Sequence, residues 1–126
     1  MVKALLDTNI LIDYLGGIAQ AKAEIARYDD AAISVITWME VMVGATAENH
    51  EATRAFLRQF QIIALDDAIA QTAVDIRKAN RLRLPDAVIW ASARTQDRLL
   101  VTRNTRDFPV DDPGVREPYR LQPGVA

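Results

Sequence analysis

The feature that most constrains this chain is the stretch Val2-Lys-Ala-Leu-Leu-Asp-Thr-Asn9, a short apolar run that ends in a carboxylate. It is too short for a stable helix and too apolar for a strand with one wet face, so it predicts a strand buried on both sides. Such strands belong to parallel sheets covered by helices. Asp7 then stands at the carboxyl end of a strand, where open α/β sheets collect their ligands.

The rest of the chain fits that frame. Apolar runs at residues 31–35, 62–65 and 99–101 predict three further strands. Helical stretches separate them. One covers residues 10–15 and is stopped by Gly16-Gly17, and another is marked by Ile18, Ala21, Ile25 and Tyr28 at helical spacing. A helix starting at Thr37 has Glu40 three residues on, the spacing of a capping box. Residues 50–60 and 67–82 predict two more, and Leu84-Pro85 opens a last one running to about residue 97. Alternating strands and helices imply a three-layer α/β/α sandwich around a mainly parallel sheet of four to five strands. With 126 residues and no linker, the expectation is a single domain over 1–126. Residues 109–126 hold four of the five prolines. They predict an extended tail with at most one edge strand, near residues 119–121.

Composition removes several kinds of chemistry. There is no cysteine, which excludes disulfides, zinc–thiolate sites and thiol catalysis. No signal-peptide pattern and no stretch of about 18 apolar residues is present, so the expectation is a cytoplasmic chain with no membrane partner. The formal net charge of −2 provides no overall attraction to nucleic acid, so any such partner must be gripped locally.

Three acids sit where burial disfavours them. Asp7 ends an apolar strand, Glu40 is the only charged residue between Ala31 and Ala47, and Asp86 precedes Ala87-Val-Ile-Trp-Ala91. Each has a local explanation: a turn at a strand end, a capping box, a favourable helix dipole. One shared site explains all three together, because ionised carboxylates in apolar surroundings need a cation or a partner. Clustered carboxylates with neither cysteine nor histidine ligands favour a hard cation, Mg²⁺ or Mn²⁺. The single histidine, His50, lies in a polar stretch and reads as a surface residue. A fourth acid is expected from Thr102-Arg-Asn-Thr-Arg-Asp-Phe108, with Asp107 the acid available and Asn104 a neutral oxygen. Thr8, Asn9, Ser34 and Thr102 supply hydroxyl or amide groups at neighbouring strand ends, suited to orienting those acids.

These four stretches, Leu6-Asp7-Thr8-Asn9, Ser34 to Glu40, Pro85-Asp86 to Ala91 and Thr102 to Phe108, resemble the motifs of PIN-domain ribonucleases, and more narrowly the VapC toxins of toxin–antitoxin pairs. The resemblance spans residues 2–108. It implies metal-dependent hydrolysis of RNA phosphodiesters, with Asp7, Glu40, Asp86 and a fourth acid as metal ligands. Many relatives carry aspartate where this chain has Asn104, so the fourth role is assigned to Asp107, with Asn104 the alternative as a water-mediated contributor. It further implies a homodimer and a VapB-like antitoxin whose tail covers the active site. Arg77, Lys78, Arg81, Arg83, Arg103 and Arg106 flank the acids and are expected to grip RNA phosphates. The apolar Trp38, Met39, Met42 and Val43, with Phe56 and Phe60, are expected to form an antitoxin groove or part of a dimer interface. A receiver-type signalling domain also combines an acidic Mg²⁺ pocket with an α/β fold. It wants an acidic pair after the first strand and a lysine after a late one, and this chain has neither. A PIN module that binds RNA without cleaving it is the other alternative.

Overall fold

A computed structural model describes residues 2–121. The chain forms β1 (Lys3–Leu6), α1 (Thr8–Leu15), α2 (Ala19–Ala26), β2 (Asp30–Ser34), α3 (Val35–Val43) and α4 (His50–Leu57). It continues through β3 (Gln61–Ile63), α5 (Asp67–Asn80), α6 (Leu84–Thr95), β4 (Leu99–Val101) and β5 (Val115–Arg116). All pairings are parallel and the strand order is β3-β2-β1-β4-β5. The order reverses between β1 and β4, and such a switch point opens a crevice beyond the strand ends. The same order argues against a receiver-type domain, whose strands run 2-1-3-4-5.

Side-chain alternation along the strands builds two cores. Ala4, Leu6, Ile33 and Val101 face α1 and α4, where Ile10, Leu11, Phe56 and Leu57 close the layer. Leu5, Ala32 and Leu100 face α5 and α6, meeting Ile69, Ile76, Ile89 and Trp90. Because both faces are covered, the strands read as unbroken apolar runs.

Three local expectations are corrected. Thr37 does not cap the third helix: α3 starts two residues earlier, and the Ser34 hydroxyl accepts from Ile36 N at 3.1 Å. Thr37 is fully buried inside the first turn, and Glu40 is freed from any capping box. The edge strand lies at Val115–Arg116, not near 119–121, and residues 109–114 turn back instead of extending. The remainder of the expected tail, residues 122–126, is outside the described residues. Finally, Phe56 and Phe60 are core residues: Phe56 stacks on Tyr14 at 4.6 Å and meets Phe60 edge-on, and Phe60 otherwise reaches only a cleft shared with Tyr28, Ala31 and Gln61.

The N-terminal ends of the strands are tied by Arg98. Its buried guanidinium donates to Ala4 O, Asp30 O and Asp30 Oδ1, and to Gln61 Oε1 at 2.9 Å, which spans β1, β2 and β3. The opposite end, where the acids emerge, is thereby free of this structural load.

Candidate active site at the strand ends

Asp7 follows β1 at the switch point and caps α1, its Oδ1 accepting from Thr8 N at 2.8 Å. Its Oδ2 accepts the Thr102 hydroxyl at 2.7 Å, a bond that crosses from β1 to the end of β4, and Asn9 Nδ2 at 3.2 Å. Asp7 is only 4% exposed. Burial pushes its carboxyl up to about 6, against the hydrogen bonds from Thr102 and Thr8, and the nearby Asp86 and Glu40 carboxylates add to the rise.

Glu40 projects from α3 into the same mouth, where its Oε1 accepts the Thr8 hydroxyl at 2.6 Å. That hydroxyl shares a second bond, of 3.0 Å, with the Thr37 hydroxyl. Thr37 is therefore a site residue that sequence reasoning used only as a cap. Its spacing from Glu40, one turn earlier on the same helix, was the available signal.

Asp86 lies in the first turn of α6, and its Oδ2 is buried without a hydrogen-bond partner. The exposed Arg83 guanidinium is the nearest cation, at 3.8 Å. Burial holds the Asp86 carboxyl above its ordinary range; Arg83 lowers it, and Asp107 and Glu40 raise it. Asp107 is half-buried in the loop after β4, where Asn104 Nδ2 donates to its Oδ2 at 3.0 Å and its own N–H returns to Asn104 Oδ1. Asn104 thus orients the fourth acid. That loop is pinned by Phe108, fully buried and edge-on to Trp90 of α6.

Asp7, Glu40, Asp86 and Asp107 therefore line one mouth, where the neighbouring carboxylates make ionisation of Asp7 and Asp86 costlier. The remaining oxygens are hydroxyl and amide, a donor set that suits a hard cation, and the buried Asp86 Oδ2 accepts no hydrogen bond and has only the exposed Arg83 as a counter-charge. Among the described residues no three of the acids converge closely enough to enclose a cation. Glu40 is drawn to Thr8 and Asp107 to Asn104, and like charges oppose closer approach. Of the supporting groups, Thr8, Asn9, Thr102 and Asn104 touch the acids, whereas the Ser34 hydroxyl serves α3.

The basic residues divide. Arg103 is corrected: its guanidinium is spent on the buried Asp13 carboxylate, through Nε to Oδ2 and Nη2 to Oδ1. Arg77 closes the end of α5 by donating to Leu82 O. Lys78, Arg81, Arg83 and Arg106 are exposed, Arg81 as the left-handed cap of α5 with φ 57°.

Comparison with known proteins agrees with this geometry. The PIN domain family matches residues 4–110. Ribonuclease VapC10 of Mycobacterium tuberculosis (strain CDC 1551 / Oshkosh) is 36% identical over 115 residues, covering 84% of this chain and 86% of that protein. A toxin–antitoxin complex from Klebsiella pneumoniae contains a chain 45% identical with a TM-score of 0.90, covering 94% of this chain and all of that one. FitAcB from Neisseria gonorrhoeae shares the fold, with a TM-score of 0.77 at 24% identity, over 94% of this chain and 99% of the other. With a family match over most of its length and acids from all four motifs at one strand-end mouth, this chain belongs to the PIN-domain family.

Proposed function

We infer that this protein is an endoribonuclease of the VapC type, the toxin of a toxin–antitoxin pair, and that its active site is the mouth lined by Asp7, Glu40, Asp86 and Asp107. The observation that carries the reading is the gathering of acids at the β1/β4 switch point, with one buried Asp86 oxygen that accepts no hydrogen bond. The likeness to a mycobacterial ribonuclease supplies the reaction class.

Asp7, Asp86, Glu40 and Asp107 are the residues that would hold Mg²⁺ or Mn²⁺. When bound, such an ion would lower the pKa of a water and polarise the phosphoryl group whose phosphorus that water attacks. The chain's own work is positioning. Thr8 N–H, Thr102 and Asn9 fix the Asp7 carboxylate, the Thr8 hydroxyl aims Glu40, and Asn104 aims Asp107. Arg83 beside Asp86, with Lys78, Arg81 and Arg106, supplies exposed positive charge for the RNA backbone.

A groove of about 380 Å³ between α1, α3 and α4 is lined by Glu40 together with Ile12, Leu15, Val41, Ala45 and Ala52. An apolar antitoxin segment fits this groove, with a basic residue at its end reaching the acids. Exposed Met39 and Val43 on α3 support self-association as a homodimer. The protein acts in the cytoplasm, where its RNA substrate is.

The test is cleavage of total RNA by antitoxin-free protein with Mn²⁺. Asp86→Asn is expected to lower the rate at least ~100-fold, the scale of losing one electrostatic stabiliser of the transition state. Cleavage unchanged by that substitution would overturn the assignment.

A further inference from the structure

Arg103 lies between two residues of the site and yet points away from it. Its backbone N–H donates to Asn9 Oδ1 at 3.2 Å. Its guanidinium grips Asp13, one turn beyond Asn9 on α1, with Nη2 to Oδ1 at 3.0 Å. Asp13 is buried, only 7% exposed, and its Oδ2 also accepts the Tyr119 hydroxyl at 2.8 Å. Two contacts one helical turn apart therefore attach the start of the 102–107 loop to α1. At one end of that double attachment Thr102 bonds Asp7, the cap of α1. At the other, Asn104 N donates to Thr102 Oγ1 at 2.9 Å and the Asn104 side chain holds Asp107.

We propose that Arg103, Asp13 and Tyr119 form a positioning clamp that sets the separation of Asp7 from Asp107 and so determines how tightly the acids hold their cation. The inference rests on the ribonuclease reading of the same mouth. A bidentate guanidinium–carboxylate pair suits this task because its planar fork resists both rotation and sliding, which a lysine does not. Burial of Asp13 strengthens the selection of one geometry: if Arg103 swings away, the carboxylate keeps only Tyr119. Tyr119 comes from beyond β5, so the C-terminal segment closes the clamp although it contributes no acid to the mouth.

The clamp and a phosphate-gripping role for Arg103 predict opposite results. If Arg103 held RNA, Arg103→Lys would raise KM and flatten the dependence of RNA binding on salt. For a clamp, Arg103→Lys leaves KM and salt dependence as in the wild type. It lowers kcat about tenfold and weakens Mn²⁺ binding, read by electron paramagnetic resonance without RNA, also about tenfold. Tyr119→Phe keeps the packing and both partners of the ion pair. It is expected to shift Mn²⁺ affinity in the same direction by a smaller factor, which covers the case in which Arg103→Lys unfolds. Mn²⁺ affinity unchanged in both variants would overturn the clamp, whatever RNA cleavage does. Wild-type protein that binds Mn²⁺ but cleaves no RNA would overturn the ribonuclease reading and leave the clamp standing, and wild-type protein that binds no Mn²⁺ would overturn both.

Discussion

Asp7 shows how a buried carboxylate can be a liability to the fold that carries it. Its folded pKa of about 6 exceeds the ordinary 3.8, so the folded state holds an extra proton between those values. The associated stability is fully present below about pH 4 and is lost as pH rises through about 6. At pH 7.5 the ionised carboxylate therefore costs the fold up to about 3 kcal/mol, following 1.36 kcal/mol per pKa unit. Asp7→Asn can still cap α1 and meet Thr102, and it carries no charge. We expect it to raise the chemical-denaturation midpoint at pH 7.5 in EDTA, with the gain vanishing near pH 4. A stabilisation independent of pH would contradict burial as the cause. Glu40 is a contrast at the same scale. Its position on an apolar segment was legible in the sequence, but its partner was not: Thr8 is 32 residues away and meets it only because β1 and β2 are neighbours.

At the scale of elements, helix termini place the chemistry. Ser34 begins the helix that carries Glu40, and its hydroxyl is fully buried with Ile36 N. Ser34→Ala should cost about 1 kcal/mol, within the range for a lost N-cap, and is checked by urea denaturation. Sequence reasoning moved this cap to Thr37 because Thr37 and Glu40 have capping-box spacing. Strand β2 passes directly into α3, and the last residue of the strand, Ser34, takes the role. The end of α5 offers the reverse case. Arg81 holds a left-handed conformation that favours glycine, and Arg81→Gly should stabilise the fold by about 0.5 kcal/mol while weakening RNA binding. The loop after β4 depends on Phe108 packed against Trp90; Phe108→Ala should cost about 4 kcal/mol by thermal denaturation and loosen the hold on Asp107.

For the whole molecule, the alternation of apolar runs with helical stretches was sufficient to reveal a parallel sheet covered on both faces. The strand ends then bring four acids together from residues 7 to 107. What the sequence did not reveal is long-range pairing. Val115–Arg116 is too short to announce a strand, and Arg116 reads as any surface charge until its guanidinium meets the buried Glu24 of α2. Arg103 looked like an RNA contact for the same reason, because its partner Asp13 lies 90 residues earlier. The basic residues are thus of two kinds, one committed to holding the fold and one exposed to solvent. Charge reversal at Arg81 and Arg83 should weaken RNA binding and its salt dependence while Mn²⁺ binding persists, as measured by filter binding at several salt concentrations.

The central claim is that the acids form one cation site used to cut RNA. Its most direct test is to titrate Mn²⁺ into antitoxin-free wild type and Asp86→Asn, following thermal stability and RNA cleavage in the same samples. The cation is expected to stabilise the wild type, by about 2.7 kcal/mol at a hundredfold excess over Kd, and to switch on cleavage that EDTA abolishes, while Asp86→Asn loses both responses. Cleavage that persists in EDTA, or an Asp86→Asn protein that responds to Mn²⁺ like the wild type, would contradict it.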